Sequence, residues 1–302
     1  MNNALFQMVP NISEGQSATT IDACVAAVQQ SGARVLHRTS DAVHHRSVLT
    51  IVGSYDELLH ASVALAGVVL ETIDLRKHRG IHPRIGALDV LPFVPLREAT
   101  MQDAVALARE AGARIWQTHR IPSYLYGEAA STPLRRNLAA VRTGEFEGLD
   151  ARFALPEWLP DFGDPRPHER AGAIAIGARE ILIAFNVELA TGDLRAAQRI
   201  ARCIRQRNGG LTSLKALGLR MSESLVQISL NITDYRATPL YRVTELIRVL
   251  AAAEGIEVVR SELIACVPLA AIEETAAYYI GASAWESCQV SDEYPNRQSD
   301  HR

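Results

Sequence analysis

Two stretches of this chain repeat one order of elements, and that repetition constrains the fold more than any other feature. In the first, Ala4–Val9 reads as a strand closed by Pro10-Asn11, and Ser17 to Gln30 spaces Ile21, Val25 and Val28 for a helix ending at Gly32. Short β-rich runs follow at Arg34–Leu36 and Val48–Val52, separated by a polar loop from Thr39 to Arg46. A long helical pattern from Tyr55 to Ile73 and an apolar run at Ala87–Val94 complete the set. In the second, Ile181–Leu189, Leu214–Leu219, Leu225–Asn231 and Ile256–Leu263 read as strands, with helices over Asp193 to Arg205 and Pro239 to Ala253. Each stretch is strand, helix, strand, strand, helix, strand. A βαββαβ unit buries one face of its sheet under both helices. The expected fold is therefore α+β, with two tandem ferredoxin-like subdomains.

Between the repeats the pattern predicts a helix from Thr100 to His119, a short strand at Ser123–Tyr126 and a helix from Pro133 to Val141. Phe146 to His168 is rich in Pro, Gly and Asp and has little periodicity, so it reads as the linker between halves. The expected boundaries are residues 1–172 for the first subdomain with its linker and 173–284 for the second, with a polar tail at 285–302. A last helix is predicted over Pro268 to Ile280.

Composition narrows the function classes. A chain of 302 residues with 48% apolar and 22% charged residues is an ordinary globular protein. A net charge of −3 gives no nucleic-acid footprint. No uninterrupted apolar run reaches membrane-spanning length, and the N-terminus shows no basic-then-apolar leader, so a cytoplasmic protein is expected. The four cysteines are scattered without a Cys-x-x-Cys pair, and three in apolar segments read as core thiols. Neither a disulfide framework nor a metal site is expected.

Chemistry concentrates around Arg79-Gly80-Ile81-His82-Pro83-Arg84-Ile85-Gly86. Pro83 disfavours helical backbone at His82, which puts the imidazole on extended chain before the Ala87–Val94 strand. Arg76, Lys77, His78, Arg79 and Arg84 make the neighbourhood cationic and suited to an anionic ligand. The same residues also fit a solvated basic turn before a core strand, and the stretch alone leaves both readings open.

The run from His82 to Pro95 closely resembles the His-Pro-Arg-x-Gly-Ala-x-Asp-Val-x-Pro-Phe-x-Pro signature of the formiminotransferase family. The likeness extends to Val9–Gly15, Tyr124–Ala130, Pro160–Asp164, Gly177–Arg179, Leu182–Val187 and Ser261–Leu263, in order along nearly the whole chain. It implies two α/β subdomains with folate held between them. The implied activity is transfer of a formimino group between N-formimino-L-glutamate and tetrahydrofolate, giving 5-formimidoyltetrahydrofolate and glutamate. Tetrahydrofolate is then the co-substrate, and a homodimer is an expectation by analogy alone.

The resemblance assigns candidate residues. His82 matches the catalytic histidine, a natural proton shuttle near neutrality. Asp41, His44 and Arg46 match the Ser-Asp-Ala-x-His-Asn-Arg-Ser-Val pattern, with Asp41 and Arg46 expected to support catalysis and His44 to bind substrate. Arg84, Gly163, Asp164, Arg166, His168 and Gly172 are the expected substrate and folate contacts. Taken singly, the first group also fits a polar turn, and the 161–172 segment fits a plain linker.

Several positions depart from the family pattern. His37 stands for Asp, His45 for Asn, Ile81 for Glu, Glu188 for Asn, and Glu169-Arg170 for Pro-Thr. His37, His45, Ile81 and Glu188 suggest a changed formimino partner, with ordinary drift as the other reading, and contacts from Glu169 and Arg170 are not expected. The alternatives are formimino or formyl transfer involving another amine, and a catalytically silent folate-binding protein.

Overall fold

The computed structural model describes residues 4–282, so the expected polar tail and Cys288 lie outside the described residues. The chain divides into two compact units. One comprises the residues up to Ile181 together with Ile264–Cys266, and the other Leu182–Leu263 and the chain from Val267 on.

In the first unit β1 (Leu5–Met8) and β2 (Asn11–Ile12) form one strand interrupted at Val9-Pro10, lying between two neighbours. Helix α1 (Ala18–Gln30) leads to the hairpin β3 (Arg34–Asp41) and β4 (Arg46–Gly53). Helix α2 (Tyr55–Thr72) leads to β5 (Leu88–Arg97). The resulting order is β5, β1/β2, β4, β3, with β1 pairing antiparallel to both β4 and β5. That is the ferredoxin-like arrangement the repeat implies. Helix α2 starts where expected because Ser54 and Glu57 satisfy each other's backbone N–H groups in a capping box.

The sheet does not stop there. After α3 (Met101–His119) come β6 (Ser123–Gly127), two one-turn helices α4 (Leu138–Val141) and α5 (Leu149–Phe153), and β7 (Ile174–Ala178). β7 pairs parallel to both β5 and β6, giving seven strands when β1 and β2 are counted separately. Residues 174–178, expected to open the second subdomain, thus complete the first sheet. One face packs α1, α2 and α3 through residues such as Ile21, Leu58, Leu65 and Leu107 against Met8, Leu49, Phe93 and Ile176.

The opposite face of β5, β7 and β6 corrects the linker expectation. Val90, Tyr124, Tyr126 and Ala175 pack there against Val141, Leu149, Phe153 and Trp158. Two buried arginines hold this layer. Arg135 pairs with Asp161 at 2.7 Å and donates to the Glu157 and Leu159 carbonyls. Arg152 lies 3.4 Å from the centre of the Trp158 ring and donates to the carbonyl oxygens of Val141, Thr143 and Ala140. The helix expected over Pro133 to Val141 is instead a 3-10 turn, Pro133–Arg135, and the single turn of α4. Of the three cysteines expected in the core, Cys24 is buried, whereas Cys203 and Cys266 are exposed because they fall on outward positions.

The second unit is a plain βαββαβ: β8 (Ile183–Leu189), α6 (Leu194–Ile204), β9 (Leu214–Arg220), β10 (Val226–Ile232), α7 (Leu240–Ala253) and β11 (Val258–Leu263). Its order, β11, β8, β10, β9, is again ferredoxin-like and wholly antiparallel. Alternate residues Phe185, Val187, Ile228 and Leu230 meet Ala197, Ile200, Val243 and Ile247 in its core. Truncating one of these isoleucines to alanine removes about 2–5 kcal/mol. Helix α8 (Leu269–Ile280) follows, with Tyr278 stacked 4.2 Å from Tyr241.

Candidate active site

The site begins at the β3–β4 hairpin, whose last register pair is Asp41 opposite Arg46. Asp41 Oδ1 accepts the backbone N–H groups of Val43 and His44, both at 2.8 Å, a turn that Asp forms readily. Oδ2 lies 2.9 Å from Nδ1 of the buried His44. The His44 ring, more than partial burial opposes it, and the two backbone donors pull the Asp41 carboxyl down to about 2. Gly15 fits beneath this turn because a Cβ there would come within 2.2 Å of the Asp41 carbonyl oxygen.

The loop carrying His82 is fastened to that hairpin. His45 Nδ1 faces the Arg79 carbonyl at 2.9 Å, and His78 Nε2 donates to the His45 carbonyl at 2.9 Å. The result brings Arg46 onto His82: Nη1 donates to Nε2 at 2.5 Å. A guanidinium has no lone pair to offer, so Nε2 must accept and the ring proton sits on Nδ1. Burial, together with the charges of Arg46, Arg142 and His44, holds the His82 imidazole well below its ordinary range, so it is neutral at neutral pH. Burial and the Arg142 charge lower Arg46 to about 10, against the opposite pull of Asp89 and Asp41, and it stays cationic.

Arg142 and Asp89 were not singled out from the sequence. Asp89 is 2% exposed, accepts the Ile85 N–H at 2.8 Å and pairs with Arg142. An acid inside an apolar strand was the available signal for Asp89. Arg142 carried none, because it follows a single helical turn and reaches Asp89 only through the fold. Tyr126 and the half-buried Arg179 lie close by, and burial pushes the Tyr126 phenol up.

The other expected residues stand apart. Arg84 is buried and fully engaged: Nε donates to His78 Nδ1 at 3.1 Å, and the two terminal nitrogens pair with Glu145 at 3.0 Å and Glu147 at 2.7 Å. Arg76 is held by Asp74 and Glu169, and Arg79 donates to the Arg76 and His78 carbonyls. The loop expected to be cationic is thus largely neutralised, by the adjacent Asp74 and by Glu145, Glu147 and Glu169, which are distant in sequence. His168 Nδ1 accepts two backbone N–H groups, from Arg170 and Ala171, each at 3.2 Å. Gly172, at φ +68°, bridges Gly86, and a Cβ there would fall 2.1 Å from the Ile85 carbonyl oxygen. Gly163 is left-handed at φ +114°, and Asp164 and Arg166 are exposed, 3.7 Å from one another. Among the described residues no hydrogen bond or ion pair joins Gly163, Asp164, Arg166 or His168 to the His82 cluster.

The departures also find places. His37 and Ile81 are exposed. Glu188 is 6% exposed and forms a bidentate pair with its cross-strand neighbour Arg260, at 2.8 and 2.9 Å. Its charge is balanced inside the second sheet, which removes the added acid as a reason to expect a changed partner. Among the described residues no cluster of three His, Cys, Asp or Glu is placed to hold a metal ion, and no helix is long and apolar enough to cross a membrane.

Comparison with known proteins agrees with the fold and with the motif blocks. Residues 5–179 match the model of the formiminotransferase domain, N-terminal subdomain, and residues 184–293 match that of the formiminotransferase domain. The chain is 40% identical to a glutamate formimidoyltransferase of Streptococcus pyogenes, covering 91% of this chain and 93% of the relative. It is 41% identical to one of Thermoplasma acidophilum, covering 95% and 96%. It is also 39% identical to the formimidoyltransferase-cyclodeaminase of Gallus gallus, covering 91% of this chain and 52% of that longer protein. The chain belongs to the formiminotransferase family.

Proposed function

We propose that this chain is a folate-dependent transferase that moves a formimino group between N-formimino-L-glutamate and tetrahydrofolate. The products are 5-formimidoyltetrahydrofolate and glutamate. The observation that carries this reading is the 40–41% identity to two glutamate formimidoyltransferases over more than nine-tenths of both chains.

In this reading tetrahydrofolate supplies the N5 nitrogen that bonds to the formimino carbon as the bond from that carbon to the glutamate nitrogen breaks. His82 takes the proton that N5 gives up and returns it to the departing amine, so no proton is left over. Its neutral ring suits that shuttle, since only a neutral imidazole accepts a proton. Asp41 orients His44, whose ring centre is 6.4 Å from that of His82. Arg166 fits an anionic folate tail: its guanidinium is exposed, and Asp164 at 3.7 Å is the one carboxylate near it among the described residues. Arg84 does not fit a ligand role, because its donors already serve Glu145, Glu147 and His78.

Action on a different amine draws no support from Glu188, whose charge Arg260 balances. A cytoplasmic location and assembly as a homodimer complete the proposal, and light scattering of the purified protein tests the second. For the activity, the purified chain is incubated with tetrahydrofolate and formiminoglutamate. One glutamate should be released for each tetrahydrofolate consumed; no release under any ratio of the two substrates would remove the assignment.

A further inference from the structure

Arg46 is a partly buried cation whose direct partner is an imidazole. Among the described residues its guanidinium makes one hydrogen bond, from Nη1 to His82 Nε2, and no carboxylate lies within ion-pair distance of it. The two nearby acids are already occupied. Asp41 serves the His44 ring and two backbone N–H groups, and Asp89 serves Arg142 and the Ile85 N–H. Arg142 has a further buried nitrogen, Nε, with no partner. A guanidinium out of bulk water is matched best by a planar anion accepting two of its N–H bonds, which an imidazole nitrogen cannot do.

The Arg46–His82 bond has a second consequence. A base needs a lone pair, and the Nε2 lone pair of His82 is engaged by Arg46. We propose that Arg46, flanked by Arg142, seats a carboxylate of the amino-acid substrate, and that seating it transfers the Arg46 donor from His82 to that carboxylate and so exposes the catalytic lone pair. Substrate binding and activation of the base become one event. The groups facing His82 are Arg46 from β4, Arg142 after α4 and His44 from the hairpin turn, with Asp41 and Asp89 behind them. An anion on Arg46 both releases the lone pair and offsets the cationic field on the ring.

The amino acid, rather than the folate tail, is the fitting source of the anion. In formiminoglutamate the α-carboxylate is attached to the carbon that bears the reacting nitrogen. In tetrahydrofolate the glutamyl carboxylates lie beyond the p-aminobenzoyl ring from N5. This inference rests on the proposed function for the identity of the substrate.

The test uses glutarate, an unreactive dicarboxylate, on the full chain without folate, with the His82 ring followed by NMR of ¹³C-labelled histidine and assigned with His82→Gln. Glutarate should raise the pH at which His82 titrates, while the uncharged glutaramide should leave it unchanged. Arg46→Gln should abolish the shift and weaken glutarate at least tenfold. Arg142→Gln alone leaves Asp89 buried without its partner, so Arg142→Gln/Asp89→Asn is the second variant, and it should weaken glutarate several-fold while keeping the wild-type melting profile. An unmoved His82, or equal glutarate affinity in wild type and Arg46→Gln, overturns the proposal. So does a shift produced by p-aminobenzoylglutamate and not by glutarate, which would give the seat to the folate tail. Failure of formiminoglutamate turnover would instead strike the proposed function and leave this binding result to be judged separately.

Discussion

The His45 ring stacks on His78, centroid to centroid 4.2 Å and 9° from parallel. Both His45 nitrogens face groups that only accept, the Arg79 carbonyl at 2.9 Å and the Glu14 carboxylate at 3.2 Å. Both bonds exist together only when the ring carries two protons. His78 is the complement: its Nδ1 accepts from Arg84 and its Nε2 donates, and burial first, then the charges of His45 and Arg84, lower its affinity for a second proton. His45 also sits at φ +50°, a left-handed backbone that Asn adopts more easily than other non-glycine residues. That accounts for Asn in the resembling family pattern. His45→Ala should cost about 2 kcal/mol, from two hydrogen bonds and the backbone preference, and His45→Asn about half as much. Thermal unfolding checks both, and equal losses in the two variants would count against the backbone argument.

His82→Ala should leave the fold intact and lower turnover by about 10² to 10⁴, the range for a positioned acid–base group. The pH profile carries further information. With its folded-state affinity for protons depressed, His82 remains neutral below the usual imidazole value of about 6.5. The acid limb of kcat/KM, which reports the free enzyme, should therefore lie below that usual imidazole value. The same depression gives a stability term present above about pH 6.5 and lost as pH falls, because the unfolded chain gains a proton that the fold refuses. His82→Ala should accordingly be less acid-sensitive than wild type. An acid limb near pH 7 would show that the ring is not held neutral.

Asp41 gives the opposite kind of handle. Its carboxyl is lowered from an ordinary 3.8 to about 2, chiefly by the His44 ring. A depressed carboxylate stabilises the fold above its unfolded value, and the contribution disappears as pH falls through the folded one. Allowing for solvent screening of a side chain 32% exposed, the term is about 1–2 kcal/mol at pH 7. Urea titrations should show Asp41→Asn less stable by that amount at pH 7, with the gap narrowing between about pH 4 and 2. A gap independent of pH would mean that the side chain acts by shape alone.

The reach of the sequence is clearest where the fold exceeds it. Periodicity located the helices and strands of both βαββαβ units, because each buries one face on a shared sheet. It could not assign Ile174–Ala178 to the first sheet, since five apolar residues carry no mark of which neighbour they join. Phe146 to His168 looked like a linker because its order comes from Arg135 and Arg152 holding carbonyl oxygens and not from a repeating apolar face. In the site, His82, Asp41 and Arg46 stood in recognisable motifs and the fold brings them together. Arg142 did not, and the acids that neutralise Arg84 lie 61 and 63 residues away, where no local reading reaches them.

Glu188 is one of the departures from the family pattern, and its pairing with Arg260 turns it into a stability question. The carboxylate is 8% exposed and the guanidinium 64%, so the arginine covers the acid from the solvent side of the second sheet. Removing the arginine strands a buried negative charge, whereas removing both groups does not. Arg260→Ala should cost about 1–3 kcal/mol. Glu188→Asn, which installs the residue usual in the family, should suppress most of that loss when combined with it. The coupling is read from a double-mutant cycle on urea stability. The same four proteins assayed with formiminoglutamate should keep KM within about threefold of wild type, less than the tenfold that 1.4 kcal/mol would give. A KM for formiminoglutamate that changes tenfold or more in Glu188→Asn alone would return this residue to substrate recognition.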